Sequence, residues 1–198
     1  MGNELNINQR LVLRMAELGM ITRERADAAC AEIADWKVPT DLKQQQVNLP
    51  GVLLVCGVAV YVHGEDVQDT EASYIDLVKE AAALSGGAVT VTDIGLVPDT
   101  DGDDDEPSDD DDDDTEYLKL RFKVDGELKE WPIEQESDEY LDMGAIRMYI
   151  GDLEPGGDDR RRFHLVHQSY DDMYLLATPE QAHTLKEEFE FEMDIFGD

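Results

Sequence analysis

Residues 117–133 read Tyr-Leu-Lys-Leu-Arg-Phe-Lys-Val-Asp-Gly-Glu-Leu-Lys-Glu-Trp-Pro-Ile, and this stretch decides the fold class. In its first half, apolar side chains alternate with Lys119, Arg121 and Lys123, which is the pattern of a half-buried strand. Asp125-Gly126 is a strong signal for a two-residue turn, and the second half returns as another strand. The stretch therefore predicts an antiparallel hairpin.

The chain before the hairpin predicts a helix and then a strand. Tyr74, Leu77 and Val78 lie on one stripe of an amphipathic helix over residues 70–84. The glycines that follow Ser85 end this helix. Residues 88–97 are expected to form the strand.

The chain after the hairpin predicts two more helices and another strand pair. Ser137 is expected to cap a helix that ends near Gly151. Residues 163–166 and 173–177 form a strand pair, and Thr178-Pro179 opens the last helix. The order of elements predicts an α+β fold, in which helices cover one face of an antiparallel sheet.

An N-terminal αα-hairpin is predicted over residues 1–38. Leu11, Met15 and Leu18 lie on one face of its first helix, and Thr22 caps its second helix. The two helices are short and are joined by a turn at Gly19.

A polar connector at residues 39–50 is expected to join the αα-hairpin to an α+β domain at 51–198. This domain is expected to contain a flexible acidic loop at 98–116. Residues 52–62 are rich in β-branched side chains, and they predict one bent strand or two short ones.

The C-terminal residues are compatible with two structures. As a strand, the segment would place Glu188, Glu190 and Glu192 on one side, about 6.6–6.8 Å apart, close to the roughly 7 Å between neighbouring phosphates of a nucleic-acid strand. As a helix, its apolar residues form a buried stripe. We favour the helix, because Thr178-Pro179 starts one and no stop signal comes before Gly197.

The charge of the chain is its strongest functional signal. The formal net charge is −32 on 198 residues, and residues 99–116 contain 13 acids and no bases. That segment accounts for less than half of the net charge, so the folded body is acidic as well. Such a surface needs water, counterions or a cationic partner, and it repels the phosphates of nucleic acids.

The remaining composition argues for a cytoplasmic protein without membrane association. The apolar run at residues 52–62 is far shorter than the roughly 20 residues of a membrane span. No signal peptide is recognisable, and Cys30 and Cys56 are too few for a disulfide framework.

No pattern in the chain predicts catalysis, a metal site or a cofactor. His164 and His167 are three residues apart on a predicted strand, so they point to opposite faces. The acids from Asp99 onward lack the correctly placed glycine of a calcium loop, and no glycine-rich phosphate loop is present. We therefore expect a protein that is not an enzyme.

Several segments from Tyr74 onward, a little over half the chain, resemble the small immunity proteins that accompany bacterial polymorphic and contact-dependent toxins. The segments are 74–87, 118–131 with its Asp-Gly turn, 140–142, 162–165 and 176–181. The resemblance implies a cytoplasmic, non-catalytic protein that binds a cognate toxin domain and blocks its active site.

A basic toxin cleft would be complementary to this acidic chain, because opposite fields speed association and penalise wrong partners. Buried aromatic residues usually dominate the energy of such interfaces. The candidate contact residues are Asp109, Asp110, Asp111, Asp112, Asp113, Asp114, Tyr140, Tyr170, Tyr174, Glu188, Glu190 and Glu192.

Two other interpretations fit the same charge. A DNA mimic would present carboxylates in place of phosphates to a DNA-binding protein. A halophilic cytoplasmic protein would carry the acids for solvation alone. The acidic loop itself is either a partner contact or a solvated linker.

Overall fold

The computed structural model describes residues 5–36, 42–65, 67–99, 116–168 and 171–197, with the backbone alone described at 42–47. The α-helices of these ranges are α1 (Ile7–Glu17), α2 (Arg23–Glu32), α3 (Leu42–Cys56), α4 (Thr70–Ala83), α5 (Met143–Tyr149) and α6 (Pro179–Phe189). The strands are β1 (Ala59–Val62), β2 (Val91–Pro98), β3 (Glu116–Val124), β4 (Glu127–Gln135), β5 (Arg162–His167), β6 (Asp172–Ala177) and β7 (Met193–Asp194).

The predicted α+β class is confirmed, and the strands fall into two antiparallel sheets. Their strand orders are β1-β6-β5-β7 and β2-β3-β4. Helices α1 and α2 pack against each other, consistent with the predicted N-terminal αα-hairpin.

The chain divides into two compact units. Unit 1 consists of Met1–Val62 and Pro155–Asp198, and unit 2 consists of His63–Glu154. In chain order, unit 2 is therefore inserted between β1 and β5 of unit 1. The connector that the sequence predicts at residues 39–50 lies inside unit 1.

In unit 1, one face of the four-stranded sheet packs on helices. Val166, Met173 and Leu175 point to this side and share a core with apolar residues of α1, α2, α3 and α6. All six residues of β6 are buried, so this strand lies at the centre of the unit.

In unit 2, the hairpin β3–β4 forms with the predicted turn. Val124 pairs with Glu127, and Asp125 and Gly126 both have positive φ, at 51° and 88°. This conformation matches a type I′ turn, for which glycine at the second position is favoured. On the buried face, Trp131 makes an edge-to-face contact with Phe122, at 5.1 Å between ring centroids.

The prediction of a connector followed by a strand from residue 52 is wrong, because residues 42–56 form helix α3. Leu49, Val52, Leu53 and Cys56 are buried at helical spacing. A short apolar run is compatible with either periodicity, and packing against α1 and α2 selects the helix. Only residues 59–62 of the predicted strand are extended.

Two helix boundaries also differ from the prediction. Helix α5 begins after Asp142 rather than after Ser137. Helix α6 ends at Phe189, where Glu190 takes a left-handed conformation with φ of 56°, and the following residues are extended and include β7. The C-terminal residues therefore form neither the continuous helix nor the continuous strand.

Candidate functional site

The predicted contact tyrosines differ in how exposed they are. Tyr140 is 44 % exposed in unit 2, whereas Tyr174 is 2 % exposed in β6, and its hydroxyl donates to Asp172 at 3.2 Å. Tyr174 is thus part of a core and not of the surface. Tyr170 lies outside the described residues, and so do Asp109, Asp110, Asp111, Asp112, Asp113 and Asp114.

The predicted carboxylates of the C-terminal region do not form a line. Glu188 is on the helix and binds Arg14, with Nη2–Oε1 at 2.7 Å and Nε–Oε2 at 2.9 Å. Glu190 caps the helix in its left-handed conformation, and only Glu192 lies in the extended segment. The regular spacing that suggested a DNA mimic is therefore not formed by these residues.

The turn that carries Tyr140 connects β4 to α5, and we call residues 136–142 the acidic turn. Its backbone is held by residues that come about 70 positions earlier in the chain. Leu141 N–H donates to the Gly64 carbonyl at 2.9 Å, and the Thr70 hydroxyl donates to the Asp138 carbonyl at 2.6 Å. These bonds fix the turn without any regular secondary structure.

Asp142 closes the acidic turn at its C-terminal end. One carboxylate oxygen accepts from Ala145 N–H at 2.9 Å as the N-cap of α5, and the other accepts from Glu134 N–H at 3.0 Å. The Asp142 N–H donates to the Tyr74 hydroxyl at 2.8 Å. Burial of Tyr74 raises the pKa of its phenol, so this hydroxyl stays neutral.

Two cavities flank the acidic turn, and both are lined by carboxylates. The smaller, of about 190 Å³, is lined by Glu134, Glu136, Tyr140, Leu141, Asp142 and Met143. The larger, of about 430 Å³, is lined by Val67, Gln68, Asp138 and Glu139. Lys, Arg and His are absent from these lining residues, so the local potential is negative.

A second exposed tyrosine extends this surface along the sheet. Tyr117 of β3 is 61 % exposed and pairs with Glu134 of β4. Cross-strand partners point to the same face of a sheet, so Tyr117 lies beside Glu134, which is one of the residues that line the smaller cavity. Tyr117 also follows Glu116, the residue at which the described chain resumes after the acidic segment.

The other groups that could bind a ligand or react are metal ligands and cysteine thiols. The described part of the chain has no group of three or more His, Cys, Asp or Glu residues that could hold a metal ion. Burial raises the pKa of the Cys30 thiol, and it raises the pKa of Cys56 to about 11. Both thiols are therefore poor nucleophiles near neutral pH.

Among the helices of the described ranges, none has the length and apolar content that a bilayer crossing requires.

Comparison with known proteins gives no relative. No family model, no curated protein and no solved structure matches the chain.

The sequence predicts Tyr140 as a contact residue but does not predict the carboxylates around it. Part of the segment that contains these carboxylates is predicted to be helical; they are Glu134, Glu136, Asp138 and Glu139. The run of small and acidic residues at 136–139 is typical of a turn, and it was the one available signal. The partners that hold this turn are distant in sequence and give no local signal.

Proposed function

We propose that the chain is a cytoplasmic, non-catalytic immunity protein that binds the basic cleft of a cognate toxin domain through the acidic turn. The observation that carries the proposal is the pairing of an exposed tyrosine with carboxylates on a turn that is already held in place. This arrangement fits a protein ligand better than it fits a reacting substrate.

The charge around Tyr140 favours a cationic partner. Glu134, Glu136 and Glu139 form no ion pair within the described residues, so their charge is directed at solvent. A basic cleft would meet this field before contact, which raises the association rate and rejects acidic competitors.

The rigidity of the acidic turn favours tight binding. Ordering loops and side chains during association costs free energy, and a loop that is ordered beforehand avoids part of that cost. Tyrosine is one of the residues that most often supply a large share of interface energy. Tyr140 is therefore the expected anchor, with the carboxylates around it as the polar rim.

The proposal is tested with each basic protein that is encoded next to the gene for this chain. We expect nanomolar binding by calorimetry at about 0.01 M salt, where the Debye length is roughly 30 Å, and weaker binding at about 0.15 M, where it is roughly 8 Å. The double variant Glu134→Gln/Glu136→Gln should weaken binding by about tenfold or more, equal to about 1.4 kcal/mol.

The matched control is Glu24→Gln/Glu32→Gln, which removes two exposed charges from α2 in unit 1. This control should leave the affinity nearly unchanged. Equal losses for both double variants would mean that net charge alone attracts the partner, and the acidic turn would lose its assigned role. The absence of binding to every basic neighbour would reject the proposal as a whole.

A further inference from the structure

The three-stranded sheet of unit 2 has two edge strands, β2 and β4, which are blocked to different extents. An edge strand presents N–H and C=O groups that can pair with another extended chain, so proteins usually block them. On β2, the outward N–H of Leu96 donates to Glu71 Oε1 at 3.2 Å. The next outward residue is Pro98, which has no N–H. The β2 edge is therefore blocked at residues 96–98.

On β4, the even-numbered residues direct their N–H and C=O groups away from β3. The Tyr117 carbonyl accepts from Asp99 N–H at 3.0 Å, so Tyr117 of β3 bonds away from β4. Opposite residues of an antiparallel pair exchange both hydrogen bonds or neither, so Glu134, opposite Tyr117, also directs its groups outward. The bond from Glu134 N–H to Asp142 agrees with this direction. By alternation, the same direction holds for Leu128, Glu130 and Pro132.

The β4 edge is blocked at one end and open at the other. Pro132 has no N–H, and the Glu134 N–H is bonded to Asp142. The N–H groups of Leu128 and Glu130, in contrast, have no hydrogen-bond partner among the described residues. Both residues are exposed, and Leu128 is exposed to 55 %. We call residues 127–131 the open edge.

The charges beside the open edge favour a basic chain as its partner. Strand β4 contains three acids and one base, and the base, Lys129, is already paired with Asp152 at 3.0 Å. The strand leads directly into the acidic turn, which adds further carboxylates. A second copy of this chain would bring another net charge of −32, and repulsion between like charges opposes that pairing.

We propose that the open edge binds an extended, basic segment of the partner protein as a fourth strand of the sheet. Main-chain hydrogen bonds to Leu128 and Glu130 hold the segment, and its basic side chains meet the acids of β4 and of the acidic turn. The inference rests on the proposed function, since it names the form in which the partner is recognised.

The test uses the full chain, labelled with ¹⁵N, and the peptide acetyl-Thr-Lys-Val-Lys-Val-Lys-Thr-amide as the probe. Hydrogen exchange of single backbone amides is measured by NMR. In the free protein, the amides of Leu128 and Glu130 should exchange quickly, whereas those of Lys129 and Trp131, which bond to β3, should exchange slowly. Peptide at ten times its dissociation constant should slow the Leu128 and Glu130 amides about tenfold, because exchange then requires release of the peptide.

Two matched peptides separate main-chain pairing from attraction of charge. The first replaces each lysine by glutamate, and it should give no protection at the same concentration. The second keeps all three lysines and carries N-methyl groups on its two central residues, which removes a donor from each edge of the peptide. It should bind about tenfold more weakly than the parent peptide, although its charge is the same.

Two variants locate the site on the protein. Glu130→Pro removes an outward donor and leaves the bonds of Lys129 and Trp131 to β3, because Pro132 already occupies an equivalent position of this strand. Glu130→Gln is the matched control, since it removes the same charge and keeps the donor. Glu130→Pro should weaken peptide binding about tenfold relative to Glu130→Gln, with the Lys129 and Trp131 amides still protected.

Binding of the peptide without protection of the Leu128 and Glu130 amides would overturn the inference. So would equal binding of the N-methylated peptide, or equal affinities for Glu130→Pro and Glu130→Gln. Protection of these amides that increases with protein concentration in the absence of peptide would assign the open edge to a second copy of the chain instead.

The outcome for the proposed function is measured separately, in the complex with a neighbouring basic protein. If that protein binds and the Leu128 and Glu130 amides still exchange quickly, the strand addition fails and the immunity function stands. If the peptide protects these amides and no basic neighbour binds, the immunity function fails and the open edge remains a binding site for basic segments.

Discussion

The carboxylates of the C-terminal region and those of the acidic turn have different surroundings. Around α6, Glu180 pairs with Arg160 at 2.7 Å, Glu188 pairs with Arg14 at 2.7 Å, and Asp194 contacts His167 at 3.0 Å. In the acidic turn, the cavities are lined by carboxylates without a basic residue. Total charge therefore does not distinguish acids that are ion-paired from acids that are not, whereas the local contacts do.

Two exposed tyrosines, Tyr61 and Tyr140, also differ in whether their side chains are already bonded within the protein. Tyr61 is exposed in unit 1, but its hydroxyl donates to Asp171, and this bond together with partial burial raises the pKa of Tyr61 to about 12. Tyr140 projects from a turn whose backbone is already bonded elsewhere. In the part of the chain that the structure describes, no ion pair or side-chain hydrogen bond of Tyr140 would have to break if a partner buried its ring.

The largest expected effect is the loss of the Tyr140 ring. Tyr140→Ala should weaken binding to the basic partner by about 2 kcal/mol or more, the cost that is typical of a central interface residue. Titration calorimetry measures the change. Tyr140→Phe keeps the ring and should retain most of the affinity, whereas a loss of less than about 0.5 kcal/mol for the alanine variant would place the anchor elsewhere.

A smaller effect, on the free energy of unfolding, is expected when a hydrogen bond that holds the acidic turn is removed. Tyr74→Phe removes the hydroxyl that accepts from the partly buried Asp142 N–H and leaves this donor without that partner, at a cost of about 1 kcal/mol in the free energy of unfolding. Urea denaturation followed by circular dichroism measures it. Tyr149→Phe is the control in the same unit, because it preserves the ring that stacks on Trp131. Similar stabilities for all three proteins would mean that the Tyr74 hydroxyl does not hold the turn.

The ion pair between Asp159 and Arg161 in unit 1 should affect how the free energy of unfolding depends on pH. The hydrogen bond from the Arg161 side chain lowers the pKa of Asp159 below its usual value. A lowered pKa in the folded state stabilises the protein above the pKa of the unfolded chain, about 3.9, and this contribution is lost as the pH falls through the folded pKa.

Asp159→Asn should therefore lower stability at neutral pH and make the acid limb of the stability curve less steep. NMR titration of the Asp159 carboxyl carbon checks the cause directly. A midpoint at or above 3.9 would contradict the pairing with Arg161.

The smallest expected effect is at Glu188. Its pair with Arg14 is partly exposed to solvent, so Glu188→Gln should cost only about 0.2–1 kcal/mol of stability, and less at high salt. Binding to the basic partner should not change. If Glu188→Gln weakened that binding as much as Glu134→Gln/Glu136→Gln, the contrast between paired and unpaired acids would have no functional meaning.

The elements predicted correctly have local signals. The hairpin follows from alternation around Asp125-Gly126, and the amphipathic helix α4 follows from its 3.6-residue stripe. Thr178 caps α6 as expected, with its hydroxyl accepting from Gln181 N–H at 3.3 Å and proline at the first turn. In each case, the residues that interact with one another are close together in the sequence.

The elements that were missed depend on contacts between distant residues. Leu49, Val52 and Leu53 suit a strand or a helix, and packing in unit 1 makes them helical. Helix α6 ends at Phe189, and the left-handed residue after it is Glu190 rather than a glycine. The extended chain that follows pairs with β5, with Met193 opposite Val166. Local propensity does not account for either outcome.

The amino-acid sequence by itself determined the antiparallel hairpin, the α+β class, most helix starts and the strongly acidic character, because these follow from periodicity, turn residues and charge within short segments. The tertiary structure alone decided that residues 136–142 form a rigid turn and that Tyr140, rather than Tyr174, is exposed. The physical reason is that the bonds holding the turn come from Gly64, Thr70 and Tyr74, and that the strand carrying Tyr174 lies at the centre of unit 1.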